Sequence, residues 1–183
     1  LIFVSWLVKK MPLITGGGIP QTRGVINGRV AYKHPFIEVI AKFVGGILAL
    51  STGLSLGREG PSVQIGSYVG CLVSKWGRVL AGERKQLLAA GAGAGLAAAF
   101  AAPLASSLLV IESIERFDAP KTAITTLLAG VVAGGVASWL FPINPYFQID
   151  AIVPGMTFWS QVKLFLLLAA VVSVFGKLFS VTT

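Results

Sequence analysis

Apolar residues run in long blocks along this chain, at 36–55, 62–79, 86–101, 123–140 and 158–174, with short polar connectors between them. Several blocks approach the ~20 residues a helix needs to cross a hydrocarbon core. Residues 1–11 read as the end of a further membrane helix, closed by Lys9, Lys10 and Pro12. Prolines 20, 61, 103 and 120 open helices, while glycines 45, 46, 53 and 57 break the apolar segment at 36–56. The pattern predicts a glycine-rich break at 15–20, a short helix to about Asn27 and a polar connector at 28–35. Beyond these it predicts a helix from Pro61 to about Leu80, a charged turn at 81–85, and helices over 86–102, 103–116 and 120–141. A loop at 142–155 with Asn144-Pro145 as its turn follows, then a last helix from near Met156. Uneven, interrupted helices suit transporters and channels better than simple anchors, because irregular backbone at membrane depth persists only where it lines a cavity or is buried in protein. The expected class is an all-α, polytopic membrane protein.

Composition strengthens that expectation. Hydrophobic residues make up 55% of the chain and charged residues 12%, against about 25% charged in soluble domains. Mean hydropathy is +0.82. The net charge of +8 does not point to nucleic acid. Its basic residues sit mainly in connectors (Arg23, Arg29, Lys33; Lys75, Arg78, Arg84, Lys85; Arg116, Lys121), where they act as juxtamembrane anchors. Trp6, Trp76, Trp139 and Trp159 read as interfacial belt residues near helix ends. The chain opens without an initiator Met, and it is expected to be a piece of a larger protein of the plasma membrane.

Enzyme motifs fail on context. Gly53-Leu54-Ser55-Leu56-Gly57 fits G-x-S-x-G, but that elbow needs a strand–turn–helix and Asp and His partners, and His34 is the one histidine, in a polar connector. One Cys, Cys71, and one His do not build a usual zinc site, so no metal and no organic cofactor are expected. Small residues are instead spaced for close helix contact, as G-x-x-x-G at Gly53/Gly57, Gly66/Gly70 and Gly91/Gly95.

Two segments resemble one another: Gly16-Gly17-Gly18-Ile19-Pro20 and Gly57-Arg58-Glu59-Gly60-Pro61. Each places glycine ahead of a proline that opens a helix, and a helix start offers unpaired N–H groups at the positive end of a dipole. Two such starts aimed at one point make an anion site without a full positive charge. Glu59 is itself an anion of suitable size. Ionised, it occupies and blocks the site; protonated, it leaves. The residues alone leave a second reading open, in which Glu59 merely complements the helix dipole and pairs with Arg58.

The run 57–66, G-R-E-G-P-S-V-Q-I-G, together with the 16–20 motif and Leu96-Ala97-Ala98-Ala99-Phe100-Ala101-Ala102-Pro103-Leu104-Ala105, resembles the CLC chloride channels and chloride–proton antiporters, some of them voltage-gated. The resemblance implies an inverted-repeat fold of broken, tilted helices, with residues 1–155 as most of the first repeat and 156–183 as the start of the second. It implies transport of chloride or a related small anion. Gly16, Gly17, Gly18, Ile19, Pro20, Arg58, Glu59 and Gly60 then bind the anion, and Glu59 is the gate. It further implies a homodimer through helices 103–115 and 119–140. Two departures matter. Gly17 stands where the family carries a filter serine, which removes a hydroxyl donor. Ser113 stands where proton-coupled members carry an inner glutamate, so a proton path would have to use Glu112 or Glu115, which otherwise read as helix-end acids paired with Arg116. Channel and exchanger both stay open. So do a non-conducting membrane segment and an ion-coupled transporter of another fold.

Overall fold

A computed structural model describes residues 2–53, 57–115, 120–141 and 157–182. Among them the chain is helical and carries no strand. It divides into two units, residues 1–143 and 144–183. The repeat boundary expected at 155 and the 142–155 loop lie outside the described residues.

The first unit contains α1 (Ile2–Lys10), a 3-10 turn (Pro12–Ile14), α2 (Ile19–Ile26), α3 (Pro35–Ser51) and α4 (Glu59–Trp76). It continues with α5 (Ala81–Phe100), α6 (Pro103–Val110), a π-helical turn (Ile111–Glu115) and α7 (Pro120–Leu140). Proline opens α2, α3, α6 and α7 within their first two positions, where its missing N–H costs nothing. α4 starts two residues earlier than Pro61, so Glu59 is part of its first turn. Gly45 and Gly46 do not break α3; the chain leaves that helix only at Gly53, whose φ of 78° is left-handed. The expected charged turn at 81–85 is the first turn of α5. Glu83 and Lys85 are exposed, Arg84 turns in to donate to the buried Cys71 Sγ at 3.5 Å, and the Glu83 carboxylate accepts the Leu80 N–H at 3.3 Å, satisfying a donor at the helix start. The helix from Pro103 loosens into the π-helical turn at Ile111 instead of running on as α-helix to 116. Trp76, Trp139 and Trp159 lie near helix ends and are largely exposed, as expected, but Trp6 sits midway along α1 with the Lys10 ammonium 4.5 Å from its ring centre.

Burial is inverted relative to a water-soluble domain. Gln64, Ser67, Thr22 and Thr126 are fully buried, while Phe36, Leu104 and Val132 are each more than 60% exposed. A lipid-facing surface needs no polar coat, and polar side chains gather inside where partners exist. The core is built on Val63, Tyr68, Cys71, Leu88, Leu96 and Val110, with the Tyr32 ring tilted at 44° against that of Tyr68, 4.2 Å between ring centres. α7 is long and apolar enough to span a bilayer; of α8 (Phe158–Thr182), in the second unit, Phe158–Ser180 meets the same test.

α4 and α5 pack backbone to backbone. A Cβ on Gly66 would overlap the Gly91 carbonyl oxygen, one on Gly91 would overlap that of Gly66, and Gly70 and Gly95 meet the carbonyls of Leu87 and Ser62 in the same way. Two of the three G-x-x-x-G pairs therefore face one another. The third does not act as a packing seam: a Cβ on Gly53 or Gly57 meets nothing within 4 Å. Gly91→Leu should separate the two helices and cost about 3 kcal/mol or more, an overpacking penalty. Loss of monodisperse protein and a lower thermal midpoint in detergent check this. Gly82→Ala, where a Cβ meets nothing within 4 Å, is the control that leaves both unchanged.

Candidate functional site

The two glycine–proline segments, their matching positions 41 residues apart in sequence, meet in space. A Cβ on Gly60 would overlap the carbonyl of Gly17, and one on Gly18 would press on the Gly60 carbonyl oxygen and on Gln64. Only glycine allows this approach, and Gly18 also needs its left-handed φ of 94°. The starts of α2 and α4 are thus held in backbone contact. The first bonded helix amides are Thr22, to the Gly18 carbonyl, and Ser62, to the Arg58 carbonyl. The N–H groups of Gly17, Gly18, Ile19, Glu59 and Gly60 have no acceptor among the described residues. Gly60 and Gly18 are buried, whereas Gly16, Gly17 and Glu59 are exposed.

Gln64, one turn into α4, secures the junction. Its amide donates to the Leu13 carbonyl at 2.7 Å and to the Tyr68 hydroxyl at 3.1 Å, fixing the 3-10 turn onto α4. A buried lysine secures it from the other side: the Lys42 ammonium donates to the Ile14 carbonyl at 2.8 Å and the Gly16 carbonyl at 2.7 Å. A cavity of about 380 Å³ lies here, lined by Gly16, Gly17, Gly57, Pro61 and Lys42 and closed by apolar residues of α1 and α3.

Glu59 lines a different cavity, of about 240 Å³, with Ile19 of α2, Leu96 and Phe100 of α5, and Ser106 and Leu109 of α6. Its walls are mainly apolar. Arg58 lies with its guanidinium 5.2 Å from the centre of the Phe100 ring.

The structure therefore gathers Gly16, Gly17, Gly18, Ile19, Glu59 and Gly60 around one junction, with Pro20 in the first turn of α2. Glu112 and Ser113 stand apart on the π-helical turn, which packs against α2, and neither lines the Glu59 cavity. The side chain of Glu115 and the whole of Arg116, its expected partner, lie outside what the structure describes. Sequence reasoning missed Lys42, Gln64, Phe100 and Ser106. Lys42 carried a usable signal, since a charge inside an apolar block is costly and rarely idle. Phe100 lay within the 96–105 motif without a role and Ser106 carried no signal, because only the fold brings α5 and α6 over Glu59.

The sequence profile of the family described as voltage gated chloride channel matches residues 1–183. Among curated proteins, the chain is 38% identical over 188 residues to the H(+)/Cl(-) exchange transporter ClcA of Vibrio cholerae, covering 98% of this chain and 39% of that protein. The corresponding transporter of Vibrio parahaemolyticus is 37% identical over 193 residues, with the same coverage. That of Citrobacter koseri is 35% identical over 181 residues, covering 96% of this chain and 37% of its own length. The chain thus spans well under half the length of these relatives. With its helical fold, its glycine-bound junction and a family match over its whole length, the chain belongs to the voltage-gated chloride channel family.

Proposed function

We propose that the chain supplies part of a transmembrane pathway for chloride or a related small anion, with Glu59 as its gate. The observation that carries this reading is the junction of α2 and α4: two helix starts in backbone contact, their first amides without acceptors, and a carboxylate beside them. Such amides stabilise an anion that has shed water, and they release it more readily than a fixed cation does. Glu59 competes with the anion while ionised and yields when protonated, so transport rises as pH falls. The relatives' names add proton exchange. Ser113 carries no ionisable group, which favours a proton step that relies on Glu59 and on acids elsewhere. The apolar outer faces of α6 and α7, including Leu104, Leu108, Ile124 and Leu128, suit a second copy of the protein in the bilayer.

The test is anion flux through liposomes that hold the full-length protein bearing this chain. Passage of chloride, nitrate or fluoride is expected, and passage of none removes the reading. Reversal potentials with and without a pH gradient separate a channel from an exchanger. Anion preference has its own test at Gly17. A Cβ there meets nothing within 4 Å, so Gly17→Ser fits and adds a hydroxyl donor. Relative chloride-to-nitrate flux is expected to shift several-fold toward chloride, the scale of one hydrogen bond. An unchanged ratio places selectivity elsewhere.

A further inference from the structure

Lys42 is a cation 5% exposed in the middle of α3, and no carboxylate bridges to it among the described residues. A bare ammonium there carries a large desolvation cost, which calls for specific partners. Those partners are two backbone carbonyls, Ile14 at 2.8 Å and Gly16 at 2.7 Å, on the segment leading into the 16–20 motif. The Gly16 carbonyl and the Gly17 N–H belong to one planar trans peptide, so they point in opposite directions. Whatever holds the Gly16 oxygen also aims the Gly17 N–H. Gly16 itself has a left-handed φ of 65°, and Gly18 one of 94°, so this stretch of backbone has two permissive joints and no side chain of its own to fix it. The Gly17 N–H is one of the amides without an acceptor, and at Gly17 it is the one donor the residue has.

We propose that Lys42 is a positioning residue for the anion site. Resting on the function proposed above, its ammonium draws the Ile14 and Gly16 carbonyl oxygens onto itself and turns the Gly17 N–H toward the anion. Two effects follow. The carbonyl oxygens, which would repel an anion, are held on a cation instead. The amide that would otherwise swivel on its glycines is set before the anion arrives, so binding does not have to order it. The lysine does this without touching the anion, which keeps a full charge out of direct contact and leaves release fast.

The experiment is saturation of flux with chloride in liposomes holding the full-length protein, for wild type, Lys42→Met and Lys42→Arg, with the thermal midpoint of each in detergent. Lys42→Met, which keeps the length and loses the donors, should raise the half-saturating chloride concentration roughly tenfold, the scale of a charge-assisted hydrogen bond. Lys42→Arg, which keeps charge and donors, should recover most of that loss. Maximal flux should change less than half-saturation in both. A half-saturating concentration equal to wild type in Lys42→Met overturns the proposal, even where the thermal midpoint falls, because a merely structural lysine lowers the amount of folded protein and not its affinity. Where Lys42→Met gives no folded protein, Lys42→Gln, a neutral donor, takes its place: a several-fold rise supports the proposal and no rise overturns it. A wild-type protein that passes no anion removes the proposed function and this proposal together, whereas an active wild type with unshifted variants removes this proposal alone.

Discussion

Gly60→Ala should cut anion flux roughly a hundredfold, the scale at which a displacement near 1 Å degrades a positioned site. The new methyl group would land on the Gly17 carbonyl, a backbone group with no rotamer to swing out of the way. The starts of α2 and α4 must then part, and the unbonded amides of Gly17, Gly18 and Ile19 separate from those of Glu59 and Gly60. The loss differs from that expected for Gly91→Leu. Gly60 lies at the helix start and not in the α4–α5 seam, so the protein should still be recovered monodisperse, with flux lost before stability. Chloride efflux measured beside the thermal midpoint distinguishes the two. Flux near wild type in a folded Gly60→Ala protein means that the contact between the two segments does not organise the pathway.

Glu59→Gln has the second large effect, on pH dependence more than on fold. Glutamine keeps the shape of the side chain in its cavity beside Ile19, Phe100 and Leu109 but never ionises. Wild-type flux should climb as pH falls, because protonation removes the competing charge. In Glu59→Gln it should stay flat across the same range, and coupling of anion movement to a pH gradient should be lost. The sign follows from the chemistry: the blocking species is the carboxylate, present at high pH. A variant that keeps the full pH response assigns the response to another acid.

Much of this arrangement was legible in the sequence because proline and glycine mark helix ends by local mechanisms. Pro20, Pro103 and Pro120, read as helix openers, each sit in the first two positions of a helix, whereas Pro61 stands third in α4 and Pro35, read as the end of a connector, opens α3. Pairing of the 16–20 and 57–61 segments was legible as a likeness of composition, and the structure supplies the contact that likeness could not. Other features were invisible for physical reasons. The spacing of Gly53 and Gly57 equals that of Gly66 and Gly70, yet only the latter pair has a helix opposite it. Spacing describes one helix face and says nothing of what packs there. The charges at Glu83, Arg84 and Lys85 suggested a turn, but the first turn of a helix tolerates exposed charge and uses Glu83 to satisfy the Leu80 N–H. The charges of Lys42 and Glu38 inside an apolar block were visible, but their partners were not: Lys42 holds two backbone carbonyls, and Glu38 accepts the N–H groups of Lys33 and His34. Backbone partners leave no trace in sequence, since every residue has them.

The central claim is that an anion and the Glu59 carboxylate compete for one cradle of helix-start amides. Calorimetric titration of chloride into the purified full-length protein, at high and at low pH, tests it most directly. Competition predicts that wild type binds chloride more weakly at high pH, and that Glu59→Gln binds it with the same, tighter affinity at both. Chloride affinity that is independent of pH in wild type and unchanged in Glu59→Gln would contradict it.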